Sequence, residues 1–303
     1  MQPKPISVDV LCVGHASFDM VFSIPKHPLS DEKMSASDFQ QGGGGPAANA
    51  SLLISKLGLR SAFAGYLGLD AYGQQHLAEF KKNHVNCTLL VQGQNPTPIT
   101  TILVKPNGQR ALINFKGKTQ ALPVNAINFE RIKPHVILVD GHEPHISLPL
   151  IQKAKDYNIP TVLDAGSLHE GTEKLMTVVD HLVCSQKFAR QFAQTEQHAF
   201  TLLSKIAPNL IITLGEQGLL WKTPEQTGQL SAFPITAIDT TGAGDAFHGA
   251  YAAGLAQQMP WPALLRYASA AGAYCCMHLG ARSGLPSKEQ LEKFQTHYKK
   301  VLI

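Results

Sequence analysis

Residues 239 to 250 read DTTGAGDAFHGA, which is a glycine turn that runs directly into a helix-forming segment. Residues with little or no side chain leave backbone N–H groups accessible, and the positive end of a helix attracts anions. We expect the helix to begin near Asp245, whose carboxylate can take the proton of a nearby hydroxyl group. The stretch predicts an anion hole made by Gly242, Ala243 and Gly244 beside a general base.

A plainer interpretation of the same stretch is an N-capped helix. Asp is a favoured N-cap, and Gly-Ala-Gly is an ordinary turn. Capping explains Asp245 but leaves Asp239, Thr240 and Thr241 without a role. We therefore favour a reaction centre.

Outward from this stretch, short apolar runs alternate with longer helical patterns. The pattern predicts strands at 8–13, 136–139, 161–163 and 210–214 and helices at 46–57 and 148–157. Strands that are apolar throughout are usually buried on both faces, as in a parallel sheet covered by helices. We expect an α/β fold in three layers, with closely packed helices of small residues after Asp245.

Two segments, about 17–41 and 97–118, interrupt this alternation because no helix follows their strands. In the second, KPNG at 105–108 marks a hairpin between ITTILV and RALINF. Such strands fit poorly into a parallel core. We expect a small antiparallel β lid over one edge of the sheet, within a single α/β domain that spans 1–303.

Composition argues against several classes of protein. A net charge of +4 over 303 residues, without an arginine-rich stripe, makes nucleic acid an unsuitable partner. The apolar runs are too short to cross a bilayer, and no secretion signal is recognised, so we expect neither a membrane anchor nor export. Five cysteines without a C-x-x-C pair favour reduced thiols. We expect a cytoplasmic protein.

The distribution of charge is more informative than its sum. No acidic residue lies between Glu79 and Glu130, whereas six basic residues do: Lys81, Lys82, Lys105, Arg110, Lys116 and Lys118. A solvated basic surface explains this segment, and so does a field that attracts anionic ligands. Both interpretations stay open.

A second glycine-rich segment, GGGGPAAN at 42–49, precedes the first predicted helix. We interpret it as a turn that lets a ligand approach the backbone, with the Asn49 amide directed at hydroxyl groups. It is neither a Walker A loop nor G-x-G-x-x-G. Asp19 lies just past the first strand, at the edge where open α/β sheets bind ligands.

In combination, Asp19, GGPAAN, Gly58 and DTTGAGDAFHGA resemble the ribokinase-like, or PfkB-type, carbohydrate kinases over nearly the whole chain. The resemblance implies an α/β fold with a β lid, and transfer of a phosphoryl group from ATP, with Mg²⁺, to a small sugar. The late GARSGLP loop and FHGA are most similar to the ketohexokinase and sulfofructose kinase branch. The implied acceptor is a ketohexose or a derivative of one.

The resemblance also implies roles for individual residues. Asp245 matches the catalytic base, with the anion hole at Gly242, Ala243 and Gly244. The positions that match sugar-binding ones are Asp19, Gly44, Gly45, Asn49 and His142. The positions that match the ATP site are Ser185, Thr213, Gly215 and Gly218. The positions that match a site for a monovalent cation such as K⁺ are Asp239, Thr241, Gly280 and Gly284.

The chain departs from the family at the magnesium site. Many members carry Asn-x-x-Glu, whereas the matching residues 185–188 read SQKF. We expect water, phosphate oxygens and Asp164 to complete the Mg²⁺ shell. The HEPH cluster at 142–145 suggests a different metal site, but we expect Pro144 to prevent the helix that would align its ligands. We favour a sugar contact for His142.

Two other functions stay open. A nucleoside kinase of the same fold would need an aromatic slot, for which Phe18, Phe22 and Phe39 are candidates. A non-catalytic sugar-binding protein would not need Asp245.

The charge of the acceptor also stays open. Relatives that phosphorylate sugar phosphates carry arginines near positions where this chain has Thr100, Thr101 and His142, which argues against that activity. Candidate contacts for an anionic group are Asn114, Lys116 and Lys118. Arg282 either reaches the phosphates or the cation loop, or lies on the surface and caps a turn. Because exposed lid strands often pair between subunits, we expect a homodimer formed through the lid.

Overall fold

The main sheet of the computed structural model, which describes residues 4–299, has nine strands. These strands are Ile6–Val13 (β1), Ser61–Gly68 (β4), Asn86–Gly93 (β5), Ile132–Val139 (β8), Thr161–Ala165 (β9), His181–Ser185 (β10), Asn209–Thr213 (β11), Leu219–Lys222 (β12) and Thr227–Leu230 (β13). Their order is β5-β4-β1-β8-β9-β10-β11-β12-β13. Neighbours are parallel as far as β11, and β12 and β13 add two antiparallel pairs at one edge.

Strand β1 shows why the core is parallel and buried. Val10 and Cys12 pack in the apolar cluster on one face of the sheet, whereas Leu11 and Val13 pack in the cluster on the other. All four side chains are fully buried. Because both faces of the strand need apolar residues, the run is continuous rather than alternating. The predicted α/β class is confirmed.

Helices cover both faces of this sheet. They are Pro46–Lys56 (α1), Ala71–Lys82 (α2), Pro144–Asp156 (α3), Glu170–Leu175 (α4), Gln186–Ala193 (α5), Glu196–Leu203 (α6), Ala243–Ala256 (α7), Trp261–Cys276 (α8), Ala281–Gly284 (α9) and Lys288–Lys299 (α10). A Cβ added to Gly249 would lie 3.0 Å from the Cα of Ala50, so α7 approaches α1 closely. Within residues 4–299, no helix has both the length and the apolar character needed to cross a membrane.

Four further strands form the lid, in the order β3-β2-β6-β7. They are Ser17–Ser23 (β2), Asp38–Gly44 (β3), Ile99–Val104 (β6) and Arg110–Phe115 (β7). The predicted KPNG turn joins β6 to β7, with the Gly108 N–H donating to the Lys105 carbonyl at 2.9 Å.

The predicted small lid sheet is confirmed, and its β2–β3 and β6–β7 pairs are antiparallel, whereas β2 and β6 between them pair in parallel. Both strands leave the same edge of the main sheet, β2 after β1 and β6 after β5. They therefore run in the same direction. Asp19 on β2 lies beside Thr100 on β6 in this register.

The centre of the main sheet contains a change in winding direction. From β1 the chain moves outward to β4 and β5, whereas from β8 it moves the opposite way, to β9, β10 and β11. At such a point the two connections diverge and leave a crevice at the carboxyl ends of the strands. Gly14 follows β1 and Asp140 follows β8, and a Cβ on Gly14 would lie 2.0 Å from Asp140 Oδ1.

The four-glycine run is a strand end rather than the free turn that we had expected. Its first three residues belong to β3, which pairs with β2. Only Gly45 lies between β3 and α1, in the left-handed region with φ +95°. A Cβ at Gly45 would lie 2.4 Å from the His15 carbonyl oxygen, so both conformation and space require glycine there.

Two helix starts also differ from the predictions. Helix α7 begins at Ala243 with Gly242 as its N-cap, and Asp245 is its third residue, so the capping interpretation of Asp245 is wrong. Helix α3 begins at Pro144, where the missing N–H costs nothing because the first residue of a helix has no intrahelical acceptor. Pro144 therefore starts the helix that we had expected it to prevent.

Candidate active site

Two adjacent cavities open at the carboxyl edge of the main sheet. The lid cavity, of about 280 Å³, lies between the lid and the core, and the edge cavity, of about 420 Å³, follows the ends of β8 to β11. Residues common to both are Pro46, Arg110, His142, Gly242 and Asp245. Asp245 therefore stands where the two cavities meet.

The lid cavity brings together most of the predicted sugar-binding positions. Asp19, Gly45, Asn49 and His142 line it. Gly44 does not, but it supports Asp19 from behind, because a Cβ at Gly44 would lie 2.2 Å from the Asp19 carboxyl carbon.

Asn49 links the two halves of the site. Its Nδ2 donates to Asp245 Oδ2 at 2.5 Å, although the two residues are 196 positions apart in the chain. Asn49 is 2% exposed, and its Oδ1 has no hydrogen-bond partner within residues 4–299. A buried acceptor without a partner is costly, so this oxygen is suited to accept a hydrogen bond from a ligand hydroxyl.

Asp19 is a carboxylate held in an unfavourable environment. Burial raises its pKa to about 6, while a hydrogen bond from Ser17 Oγ, at 2.9 Å, and the charge of Arg282 oppose the rise. The group is still largely ionised at neutral pH. It can accept hydrogen bonds from two hydroxyl groups.

The predicted anion hole is only partly available. Gly242 adopts the left-handed conformation, φ +78°, and with Gly244 it lines the edge cavity. Ala243 lines neither cavity, and its N–H donates to the Thr240 carbonyl at 3.3 Å. The candidate donors that remain are thus the amides around Gly242 and Gly244, at the positive end of α7.

Three of the four predicted nucleotide positions line the edge cavity, namely Ser185, Thr213 and Gly215. Gly218 does not line it. Gly218 instead closes the turn after β11, where its carbonyl accepts from the Leu214 N–H at 2.7 Å and its φ is +86°. Ser185 caps α5, since its Oγ accepts from the Phe188 N–H at 3.0 Å.

Asp164 also lines the edge cavity and is 5% exposed. Burial raises its pKa to about 7, and the neighbouring Asp245 adds to the rise. His248 Nδ1 lies 3.3 Å away but is closer, at 2.6 Å, to the Gly244 carbonyl. Asp164 Oδ2 thus has no hydrogen-bond partner within residues 4–299, which fits an oxygen ligand or water-holding group for hydrated Mg²⁺.

The positions matching a monovalent-cation site lie next to one another behind the anion hole. The fully buried Asp239 accepts from the Thr241 N–H at 2.9 Å and from Thr241 Oγ1 at 2.7 Å, both through Oδ1. Its Oδ2 accepts from the Gly280 N–H at 2.8 Å. Gly284 packs against Cys275, since a Cβ there would lie 2.8 Å from the thiol sulfur. Three of the roughly four acceptor positions of the carboxylate are therefore taken by protein donors, which counts against a bound cation.

Asp140 is a site residue that we did not identify from the sequence. Its Oδ2 accepts from the His15 N–H at 2.7 Å and from the Ala47 N–H at 3.1 Å, and its Oδ1 accepts from the His142 N–H at 2.9 Å. The carboxylate thereby holds together the ends of β1 and β8 and the start of α1. An acid directly after a buried strand was the available signal.

Arg110 is a second site residue that we did not identify from the sequence. It was noted there only as one of the basic residues of the acid-free segment. It starts β7 in the lid, and its Nη1 donates to Thr240 Oγ1 at 3.3 Å. The guanidinium group thus joins the lid to the loop that carries Asp245. It lies beside both cavities.

His142 lies between two other histidines. Its ring centroid is 5.2 Å from that of His15 and 4.9 Å from that of His169, with which it stacks. Burial lowers the pKa of His15 to about 3 and also lowers the pKa of His169, so both rings are neutral. Within residues 4–299, no three His, Cys, Asp or Glu side chains are arranged to hold a metal ion.

Arg282 is not the surface residue of the plainer expectation, and it lines neither cavity. It is buried, and its Nε donates to the Gly43 carbonyl at 2.6 Å while its Nη2 lies 2.7 Å from His76 Nε2. The guanidinium also lies over the Phe80 ring, 5.5 Å from its centroid. Arg282 therefore fastens β3 to α2.

The chain is similar in sequence and fold to several sugar kinases. The chain is 26% identical over 289 residues to the ribokinase of Bacillus subtilis, covering 94% of this chain and 98% of that one. It is 28% identical over 287 residues to the probable fructokinase-5 of Arabidopsis thaliana, covering 84% and 88%. The structure of Arabidopsis thaliana ribokinase complexed with ribose and ATP matches with a TM-score of 0.80 at 22% identity, covering 95% of this chain and 99% of that one. The profile of the pfkB family carbohydrate kinases matches residues 8–288, so the chain belongs to this family.

Proposed function

We propose that the protein transfers the γ-phosphoryl group of ATP to a hydroxyl group of a small sugar, with Asp245 as the base. The observation that supports this most directly is the position of Asp245, which lines both cavities at their junction. An acceptor in the lid cavity and a phosphate in the edge cavity would meet at its carboxylate. The family relationship supplies the reaction class.

Each group of the site has a task in this reaction. Phosphoryl transfer mainly requires that the attacking and leaving oxygens be held in line and that charge be neutralised. Asp19 and Asn49 would hold the sugar hydroxyls, and Asp245 would accept the proton of the attacking one. The amides around Gly242 and Gly244 would stabilise the negative charge of the transferred group.

The phosphoryl donor, ATP, would bind in the edge cavity. Ser185, Thr213 and Gly215 would contact the nucleotide there. Mg²⁺ bound with ATP would supply further charge neutralisation, and Asp164 would hold it directly or through water. The ribokinase complexed with ATP shares the fold of this chain, which supports placing a nucleotide in this cavity.

The lid cavity favours a sugar over a nucleoside. Of the three phenylalanines considered for an aromatic slot, none lines the cavity: Phe18 packs on Tyr72, and Phe22 packs on Phe39. The polar lining by Asp19, Asn49 and Thr100 suits a polyol. We propose a ketohexose or a derivative, which the fructokinase relative supports.

The test is ADP release across a panel of sugars and nucleosides, with Asp245→Asn as the variant. Loss of a general base should lower kcat by about 10²- to 10⁴-fold. Sugar binding, measured by calorimetry, should change little because the amide has the same size. A variant that keeps the wild-type kcat would overturn the assignment of Asp245. Activity on nucleosides alone would overturn the proposal that the acceptor is a sugar.

An acceptor with an anionic group is a second candidate, and strand β7 favours it. Alternate residues of a strand face the same side, and Arg110, Asn114 and Lys116 from β7 and its extension all line the lid cavity. Lys118, the next candidate, does not line it. Lys116→Ala should therefore raise KM for an acidic sugar far more than for fructose, whereas Lys118→Ala should change neither. Equal effects of Lys116→Ala on both sugars would exclude an anionic contact.

We also propose one α/β kinase domain with two lid segments, a homodimer formed through the lid, and a cytoplasmic location. Support for the dimer comes from edge strand β7, where Ile113 and Phe115 are 64% and 57% exposed. All five cysteines are free thiols, which supports a reducing compartment. Ile113→Lys should convert a dimer to a monomer in light scattering. A wild-type protein that is monomeric at micromolar concentration would exclude the dimer.

A further inference from the structure

The loop that carries the anion hole is held in place by a network of protein groups behind it. Asp239, at the centre of this network, is fully buried and accepts three hydrogen bonds, two from Thr241 and one from Gly280. These donors join the start of the DTTGAGD loop to the segment before α9. Both oxygens of this buried carboxylate are thus hydrogen-bonded by protein groups, as a buried polar group requires.

The backbone carbonyls of the same two segments face a cysteine. Cys275 Sγ lies 3.5 Å from the Thr241 carbonyl oxygen and 3.9 Å from the Ala281 carbonyl oxygen. Cys275 is fully buried, and its thiol group can donate a weak hydrogen bond to these carbonyls.

The thiol also fills the space between the two segments. A Cβ added to Gly284 would lie 2.8 Å from the sulfur, and one added to Gly242 would lie 3.6 Å from it. A cation that used the Thr241 and Ala281 carbonyls as ligands would need this space. The carbonyls that would bind a cation therefore face the thiol instead.

We infer that Cys275, together with the donors to Asp239, replaces the monovalent cation that the family resemblance implies, so that catalysis does not depend on K⁺. Cys275 acts as a positioning residue, because it fixes Gly242 and hence the anion hole without touching a substrate. The kinetic part of the inference rests on the proposed kinase activity.

The first experiment measures kcat of the wild type in K⁺, Na⁺ and tetramethylammonium salts at constant ionic strength. Tetramethylammonium is too large to enter a carbonyl site. We expect kcat to differ by no more than about twofold among the three salts. This is less than the change in rate that the loss of one net hydrogen bond would cause. An increase of fivefold or more in K⁺ would overturn the inference.

The second experiment compares Cys275→Ala with Cys276→Ala. Cys276 is the adjacent, half-buried residue. In the described part of the chain it bonds to the loop through its backbone carbonyl and not through its side chain, so its side chain is a matched control. In tetramethylammonium, Cys275→Ala should lower kcat by about fivefold, and K⁺ should restore it because the cavity left by the thiol can admit a cation. Cys276→Ala should retain the wild-type rate in all three salts. Equal behaviour of the two variants would contradict a positioning role for Cys275.

Thermal unfolding in the same salts gives a readout that needs no substrate. The Tm of the wild type should be the same in K⁺ and tetramethylammonium, whereas K⁺ should raise the Tm of Cys275→Ala. A K⁺-dependent rise in the wild-type Tm would overturn the inference even if no sugar were phosphorylated. The failure of the proposed function and the failure of this inference are thereby distinguishable.

Discussion

Gly44→Ala should selectively impair use of the sugar, because the new Cβ would lie 2.2 Å from the Asp19 carboxyl carbon. Ordinary contact begins near 3.4 Å, so the carboxylate must move by about 1.2 Å or β3 must shift by a similar amount. A displacement of about 1 Å in a positioned group can cost roughly 10²-fold in rate. We expect kcat/KM for the sugar to fall about 100-fold, with KM for ATP nearly unchanged.

Gly42→Ala is the matched control, on the same strand. Its Cβ would meet only the Arg282 side chain, at 3.6 Å, which is ordinary contact. Initial rates of ADP release, with sugar and ATP varied in turn, would separate the two KM values, and thermal unfolding would verify that both variants fold. The same kcat/KM for both variants would refute the reasoning, and so would an equal rise in both KM values for Gly44→Ala.

Three further predictions concern charged residues. Asp19 must be ionised to accept the sugar hydroxyls and has a pKa of about 6, so kcat/KM for the sugar should fall tenfold per pH unit below that value; a flat profile from pH 5 to 7 would contradict this. Arg110→Ala should lower kcat by about 10-fold or more, the scale of a hydrogen bond to a charged group, and Arg110→Lys should recover part of the loss; an unchanged kcat would remove Arg110 from the site. Burial raises the pKa of Glu143 from 4.5 to about 7, so the stability that this carboxyl contributes is present below pH 4.5 and lost as pH rises through 7. The free energy of unfolding of Glu143→Gln, relative to that of the wild type, should therefore increase from pH 5 to pH 8 by at most roughly 3 kcal/mol in chemical denaturation. A difference that stays constant with pH would contradict the shifted pKa.

The fold class could be predicted because its signals are local. Each buried strand of the parallel core is a short apolar run, and the KPNG turn identifies the β6–β7 hairpin by itself. The direction of the β2–β6 pair could not be predicted, because it depends on where β1 and β5 end in space. Glycine is a weak strand former, yet Gly42 to Gly44 extend β3, because pairing with β2 overrides the local preference.

The candidate site also contains residues that local sequence identifies and residues that it does not. Asp245, Asn49 and Asp19 were identified because each lies in a short motif. Asp140 carries no motif, and its three hydrogen bonds come partly from segments 125 and 93 positions away. Arg282 looked like a loop residue because its partner Gly43 is 239 positions away in the chain. Contacts of this kind are a property of the tertiary structure, not of the local sequence.

The change in winding direction between β1 and β8 has a consequence for how such enzymes can diversify. Asp19 and Asn49, which are assigned to the sugar hydroxyls, come from the chain before β4, whereas the groups assigned to the nucleotide come after β8. Arg110, His142 and the loop around Asp245 border both cavities. Replacing residues 112–116, with Arg110 kept, would therefore alter which acceptor is selected and leave the nucleotide-binding segments intact. A common phosphorylation module can acquire new sugars by exchanging one edge strand.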